Sequence, residues 1–556
     1  MGHSVVGGPT LPSNQAVDPG PATGTVPPVV RAAPKVQERT SPPPGAPSEP
    51  VAADELPSHA TLLAAAALGA LGVALRLGTM SPLWLDEALS ANIASLPVGE
   101  VLDALRRDGH PPLYYLLLHG WTAVVGDGDG AVRALSAVFG LATLPLLWAA
   151  AKRYGGRVCA VATSVLYATS PFAIRYSTET RMYALVAFLV VAGWLAIRRA
   201  EERPTLLRLA VVSIVAGMLL LSHYWSPFLL AAVGAGLLVR VWRARRAGAD
   251  VAQPIRLAAA LAAGGILFVP WLPAFLAQAG STGTPWGAPT RPAAVFSISL
   301  DDWGGGPYGE ARVLGLCLFL LALLALFAKA VGRTRIELDL GTRPRARAEW
   351  AVVAVTLGLA VVASYASNAA FASRYTSVIH PLVVLLAGLG VGVLPRQGLR
   401  SAVVGVLAVV GLAFGAVNLA SDRTQAGQLA AGIEAAAGPR DLVVYCPDQL
   451  GPATSRLLPD GPEGITFPDA GDPRFVDWVD YAEGIDAGDP AAFAANAVER
   501  AGNGDVWLVW SGDYRSVEGV CEELVNELTD LRPARTVVVA SGSQLEHAWL
   551  YRYAAS

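Results

Sequence analysis

Apolar positions along this chain come in long blocks and not at the short periods of an ordinary globular core. Runs of the length that crosses a bilayer, about 17 to 25 residues, lie near 58–80, 131–151, 157–174, 182–198, 206–222, 226–242, 256–276, 312–331, 350–367, 376–394 and 401–420. These predict eleven membrane helices. A further apolar stretch, PPLYYLLLHGWTAVVG at 111–126, is short, opens on two prolines and contains His119 and Gly120. Beyond 421 the pattern changes. DLVVYCP, GDVWLVWSG and RTVVVAS are short β-branched runs bounded by Gly, Pro or Asp, which predict buried strands. AAFAANAVERA and SVEGVCEELVNEL carry the spacing of amphipathic helices. The expected fold is a polytopic α-helical membrane protein with a C-terminal α/β domain over 421–556.

The arginines and lysines decide how the spans thread. They cluster in AKRYGGR (151–157), RRAEERPTLLR (198–208), RVWRARR (240–246) with Arg256, KAVGRTRIELDLGTRPRAR (329–347) and PRQGLR (395–400). Cytoplasmic connections carry an excess of these residues. With eleven spans and the N-terminus inside, all five clusters are cytoplasmic; a twelfth span at 111–126 would put all five outside. The 111–126 stretch therefore predicts a helix in or on the outer leaflet, with Tyr114, Tyr115 and Trp121 as interfacial anchors. The outer face then receives 81–130, 175–183, 222–225, 277–311, 371–376 and everything after 421, in a plasma-membrane, multi-pass arrangement.

Composition agrees with this picture. At 53% hydrophobic and 15% charged residues, the 556-residue chain is too apolar for a soluble protein of its length. A net charge of -3 and the lack of a basic block with interleaved aromatics argue against a nucleic-acid partner. Only Lys35, Lys152 and Lys329 are lysines, and the Ala, Val and Gly richness fits a GC-rich bacterial genome. Residues 1–57, rich in Pro, Gly, Ala and Ser, predict a disordered cytoplasmic tail with no cleavable signal peptide. Cys446 and Cys521 are the only cysteines outside the apolar runs. In an oxidising compartment they are a candidate disulfide, although Cys446, at a strand end, is equally explained as a buried thiol. No CxxC or His/Cys metal spacing occurs.

Candidate chemistry collects at the outer ends of the spans. The first group is LDEAL, with Asp86 and Glu87, inside a loop whose acids (Asp86, Glu87, Glu100, Asp103, Asp108, Asp127, Asp129) outnumber Arg106 and Arg107. Next come DGHPPLYY with His110, Tyr114 and Tyr115, then IRYSTETRMY with Arg175, Tyr176, Glu179, Arg181 and Tyr183. ASRYT supplies Arg374 and Tyr375, and SHYW supplies His223, Tyr224 and Trp225. If the spans bundle, these ends converge on one cavity. Bacteria hold no nucleotide sugars outside the cytoplasm, so glycosyl transfer there draws on polyprenyl-phosphate sugars whose lipid stays in the membrane. Arginine suits the leaving phosphate through bidentate hydrogen bonds. A carboxylate suits the attacking hydroxyl as general base.

At these residues the chain resembles a known family. WLDEA after the first span, HPPLYYLL before a non-spanning helix, YSTETRMYAL after the third span and ASRYTSVIHPLVVLLAGLG near the end look like GT-C glycosyltransferases of the protein mannosyltransferase and aminoarabinose transferase type. The resemblance covers roughly 58–420, the expected transmembrane catalytic domain. Within that class the chain is most similar to actinobacterial polyprenyl-phosphomannose-dependent mannosyltransferases of cell-envelope glycans, including the enzyme that starts mannose caps on lipoarabinomannan. The resemblance implies inverting transfer of a hexose from a β-linked polyprenyl phosphosugar to a cell-envelope glycan on the outer face. It makes Asp86 the base, with Glu87 orienting the acceptor or tuning Asp86. Glu179 matches the second acid and Arg374 the donor-phosphate contact, with Arg181, Arg175 and His110 as helpers and Tyr375 and His223 nearby. His110 stands where some members have lysine. Some relatives use a divalent metal and others none, and the sequence leaves this open.

Each candidate also has a plainer reading. Asp86 and Glu87 suit a first helical turn, Glu179 an ion pair with Arg175 or Arg181, and Arg374 a snorkelling span end. His223, Tyr224 and Trp225 suit interfacial anchoring, and His110 suits a turn before two prolines. DDWGGG, 301–306, is expected in an outer loop able to close over the site. The rival functions are a lipid-linked-sugar transporter or flippase, an enzyme of the same class using arabinose or another sugar, and a scaffold protein. Transporters carry ionisable groups mid-membrane and show repeats; here the span interiors are nearly free of charge.

Overall fold

The computed structural model describes residues 58–555 apart from 80, 283–286, 288, 307–308, 332–333, 368 and 460. The predicted tail, 1–57, lies outside the described residues.

Seven helical segments among the described residues are long and apolar enough to cross a membrane: Asp129–Ala168, Tyr183–Glu202, Ser226–Arg246, Ala252–Ser281, Glu310–Phe327, Pro344–Ala366 and Gln397–Ala420. His59–Leu75, Leu113–Val125, Leu206–Leu220 and His380–Val391 are apolar but shorter. The 40-residue helix Asp129–Ala168 holds one predicted span and most of the next, joined across non-helical backbone at Gly155 and Gly156. Gly156 has φ 78°, which a side chain would strain.

Close backbone contact, enabled by small residues, packs these helices, as expected where lipid removes the hydrophobic drive between them. A Cβ on Gly72 would lie 2.2 Å from the Ala168 carbonyl oxygen, and one on Gly390 would lie 1.8 Å from that of Leu321. Arg76 ends the first helix buried, donating to the carbonyls of Gly72 (2.7 Å), Ala168 (2.6 Å) and Tyr167 (2.9 Å), so carbonyls left open at two helix ends are satisfied by one side chain.

Three expectations change. The 13-residue helix Leu113–Val125 is, as expected, too short to span, at about 20 Å. Its Tyr114 and Tyr115 are fully buried and not interfacial, because their hydroxyls find partners inside: Ser136 at 2.9 Å and Asp108 at 2.9 Å. The run predicted to reach 331 leaves its helix at Phe327 and forms a hairpin, β1 (Ala328–Val331) with β2 (Arg335–Leu338). DDWGGG is no free loop. It ends the helix Pro292–Gly304, with Trp303 buried and its indole N–H donating to the Thr376 hydroxyl at 2.9 Å.

After 421 the chain folds around a five-stranded sheet of β3 (Leu442–Cys446), β4 (Glu463–Thr466), β5 (Val506–Trp510), β6 (Arg535–Val539) and β7 (Trp549–Tyr553) in the order β4-β3-β5-β7-β6. β3 runs parallel to β4 and β5, and β7 is antiparallel to β5 and β6. Alternate side chains of β3 and β5 pack on opposite faces, which is why both are apolar throughout. Leu442, Val444 and Cys446 join the cluster of Phe493 and Leu524, whereas Val443 and Tyr445 join that of Leu429 and Ile433. Cys446 and Cys521 are disulfide-bonded, tying the end of β3 to the helix Val520–Leu531. The sequence missed β4 and β7. It also expected RTVVVAS to be buried, whereas β6 is an edge with Val537 half exposed.

Candidate active site

Asp86 and Glu87 occupy the first turn of the helix Leu85–Ala94. Successive residues on an α-helix point about 100° apart, so neighbours in sequence do not face each other. The two acids accordingly diverge. Asp86 lines a cavity of about 630 Å³. Glu87 turns inward, where Arg133 grips it with both arms, Nε to Oε1 at 2.7 Å and Nη2 to Oε2 at 2.6 Å. The Thr180 amide adds a third hydrogen bond to Oε1 at 2.9 Å. Arg133 also donates to the carbonyls of Ser81 and Pro82, pinning the strap that enters the helix.

Two arginines from distant segments meet the one carboxylate of Asp86. Arg374, in the 3-10 turn Ser373–Val378, brings Nη2 to 3.4 Å from Oδ2, and Arg181 brings Nη2 to 3.9 Å. The Arg374 guanidinium lies over the Trp84 ring at 5.7 Å. Arg181 is itself held by Ser90 Oγ at 3.0 Å and His110 Nε2 at 2.7 Å. Since an arginine can only donate, His110 accepts at Nε2 and its Nδ1–H donates to Asp108 Oδ2 at 2.8 Å. Burial pushes the Asp108 carboxyl up, but His110, Arg181 and the Tyr115 hydroxyl outweigh it and hold the group below its ordinary value. A chain of polar contacts thus runs Asp108, His110, Arg181, Asp86.

Of the sequence-predicted residues, Asp86, His110, Arg181, His223, Arg374 and Tyr375 line this one cavity. His223 and Tyr375 stand ring to ring at 5.3 Å. Glu87, Glu179 and Arg175 do not line it. Glu179 is buried and pairs with Arg423 at 2.6 Å, with Arg175 at 4.0 Å. Arg175 also faces Asp302 at 3.4 Å, and the same carboxylate accepts from the Tyr176 hydroxyl at 2.8 Å. Sequence reasoning missed the partners Asp108, Arg133, Asp302 and Arg423, and the residues after 421 that reach the cavity, including Gln449 and Glu546. Composition carried no signal for them.

The cavity has two characters. Its polar end holds Asp86, Arg181, Arg374 and His110, and a second wall of Phe228, Phe275, Val295, Ala360 and Val361 comes from the apolar helices. Such a space suits an amphipathic ligand with an anionic head. Among the described residues no three His, Cys, Asp or Glu group as a metal site would require.

Residues 109–273 match the family model described as dolichyl-phosphate-mannose-protein mannosyltransferase. No curated protein matches the chain. Among solved structures, ArnT from Cupriavidus metallidurans in the apo state is similar at 12% identity and TM-score 0.56, covering 88% of this chain and 97% of that one. The same protein bound to undecaprenyl phosphate is similar at 13% identity and TM-score 0.54, covering 90% and 99%. The helical membrane architecture, with this likeness along nearly its whole length, gives the chain the fold of ArnT.

Proposed function

We propose that this protein is an inverting glycosyltransferase that moves a sugar, mannose in the first instance, from a polyprenyl phosphate to a cell-envelope glycan such as the arabinan ends of lipoarabinomannan. The observation that carries the reading is the meeting of Asp86 with Arg374 and Arg181 in a cavity with an apolar wall. The description of the matched family supports mannose, and the undecaprenyl phosphate in the similar structure supports a lipid phosphate donor. The charge rule and the Cys446–Cys521 disulfide support eleven spans with the site and the C-terminal α/β domain on the outer face.

In this mechanism the donor phosphate sits between the guanidiniums of Arg374 and Arg181, with the polyprenyl chain along the apolar wall. Taking up the phosphate frees Asp86 from its ion pairs. The acceptor hydroxyl gives its proton to the Asp86 carboxylate while its oxygen bonds to the anomeric carbon from the face opposite the phosphate. The anomeric carbon–oxygen bond to phosphate breaks, its electron pair stays on the phosphate, and the arginines stabilise that charge. The sugar is delivered with inversion. Glu87, Glu179 and Arg175 act as positioning residues, holding Arg133, Arg423 and Asp302 around the site. The Asp108–His110 pair holds the Arg181 fork in place.

The test uses membranes holding the wild type or Asp86→Asn, given radiolabelled polyprenyl-phosphomannose and an octyl arabinofuranoside acceptor. Transfer by wild type and its loss in the variant are expected. Equal transfer by Asp86→Asn removes the base assignment, and transfer only from another polyprenyl sugar removes mannose.

A further inference from the structure

The cavity wall that the proposed mechanism leaves unused is built by residues far along the chain. Glu546 lines the cavity and is only 5% exposed; the Thr424 hydroxyl and the Leu85 amide lie near its carboxyl, but neither oxygen makes a well-formed hydrogen bond among the described residues. Gln449 lines the same cavity at 3% exposure, and its side-chain Nε2, with the Tyr481 hydroxyl nearby, likewise makes no well-formed hydrogen bond among the described residues. A buried polar group left without a hydrogen bond is costly, so one that faces a cavity is completed there by water or by a ligand that displaces it. Trp478 and Tyr514 add aromatic surface to this wall.

The position of these groups is fixed on several sides. The backbone N–H of Glu546 donates to the Arg423 carbonyl (2.8 Å) and its carbonyl accepts from Gln425 (2.9 Å). The segment before Trp478 is anchored where Asn92 Nδ2 donates to the Arg474 carbonyl at 2.9 Å, and Trp478 N–H donates to the Arg107 carbonyl. The wall is therefore a built surface close to Leu85 and Asp86, not a loose flank.

We propose that Glu546 and Gln449, with the aromatic surface of Trp478 and Tyr514, form the subsite for a hydroxyl-rich acceptor and select the hydroxyl presented to Asp86. This rests on the glycosyltransferase reading above. The chemistry of the wall separates it from the donor-phosphate end. A carboxyl and an amide offer hydrogen bonds to hydroxyls but give no cationic fork for phosphate, and ring faces suit the C–H faces of a sugar. Burial, with the nearby charges of Asp86 and Glu87 adding to it, raises the Glu546 carboxyl to about 8 against the opposition of Thr424 and the Leu85 amide. At neutral pH the group is then mostly protonated, able to donate one hydrogen bond and accept another beside Asp86 without setting a second full charge against it.

The donor sugar is also hydroxyl-rich, so the test separates the two. Full-length protein is compared as wild type, Glu546→Ala, Glu546→Gln and Gln449→Ala. Kinetics use polyprenyl-phosphomannose and an octyl oligoarabinoside, and binding of the oligoarabinoside alone is followed by saturation-transfer NMR in detergent. The expected result is an acceptor KM raised tenfold or more in Glu546→Ala, less in Glu546→Gln, and a donor KM within twofold of wild type. Binding of the oligoarabinoside falls in parallel while thermal unfolding of Glu546→Gln stays intact. A rise in donor KM alone, or an unchanged acceptor KM and unchanged binding, overturns the subsite. Lack of oligoarabinoside binding by wild type overturns it as well. Binding that depends on Glu546 in a wild type that transfers no sugar from any polyprenyl phosphate upholds the subsite and removes the glycosyltransferase reading.

Discussion

Glu87→Ala and Asp86→Asn alter neighbouring carboxylates and are expected to fail in opposite ways. Removing the Glu87 side chain deletes both arms of the Arg133 pair, at 2.7 and 2.6 Å, and the Thr180 amide bond at 2.9 Å. Arg133, 6% exposed, keeps its charge without a counter-charge. Breaking one side of a buried ion pair costs about 3–5 kcal/mol, and an orphaned buried amide adds about 1 kcal/mol. Asp86 is different, because its side chain is 16% exposed and its pairs at 3.4 and 3.9 Å are long. Its change to Asn, which keeps the side chain's shape, is expected to cost less stability than Glu87→Ala and to lower transfer by roughly 10²- to 10⁴-fold, the usual share of a general base. Unfolding free energy in mixed micelles, measured beside initial transfer rates, separates the two outcomes. A Glu87→Ala protein of unchanged stability and no activity would make Glu87 a participant in the chemistry and refute the divergence argued from the helix.

Arg374→Lys replaces a planar fork by a point charge and is expected to raise donor KM by roughly tenfold, read from initial rates at varied polyprenyl-phosphomannose; an unchanged donor KM removes the phosphate contact. Cys521→Ser opens a loop of 75 residues and is expected to cost at most about 4.5 kcal/mol by chain entropy, visible as an earlier unfolding transition that reductant reproduces in wild type. For Glu546 the carboxyl moves from 4.5 to about 8 on folding, so the folded state holds the proton longer than the unfolded one and stability falls as pH rises between those values. Glu546→Gln lacks this loss, and its stability relative to wild type is expected to grow by as much as ~5 kcal/mol from pH 4.5 to 8, at about 1.4 kcal/mol per unit, in denaturant titrations across that range.

The long apolar helices were legible because a bilayer imposes a length and a composition. The core strands β3 and β5 were legible for a similar reason, as both faces of each must be apolar. The site was legible only in part. Asp86, His110, Arg181, His223, Arg374 and Tyr375 share a cavity because the ends of spans meet, but a sequence does not show which arginine answers which acid. Glu87 with Arg133 and Glu179 with Arg423 join segments 46 and 244 residues apart. The sequence therefore offered Glu179 as a substrate ligand without showing that Arg423 pairs with it. DDWGGG looked like a loop because its glycines are conspicuous, whereas Trp303 and Asp302 anchor the helix that precedes them.

The Arg423–Glu179 contact ties the fate of the last quarter of the chain to that of the membrane bundle. Glu179 is 1% exposed, and Arg423 lies just past the final apolar helix. A chimaera that exchanges everything beyond 421 with the corresponding part of a relative would leave that carboxylate only the longer contact to Arg175, at 4.0 Å, unless an arginine travelled with the graft. Over evolutionary time the two positions are then expected to change together.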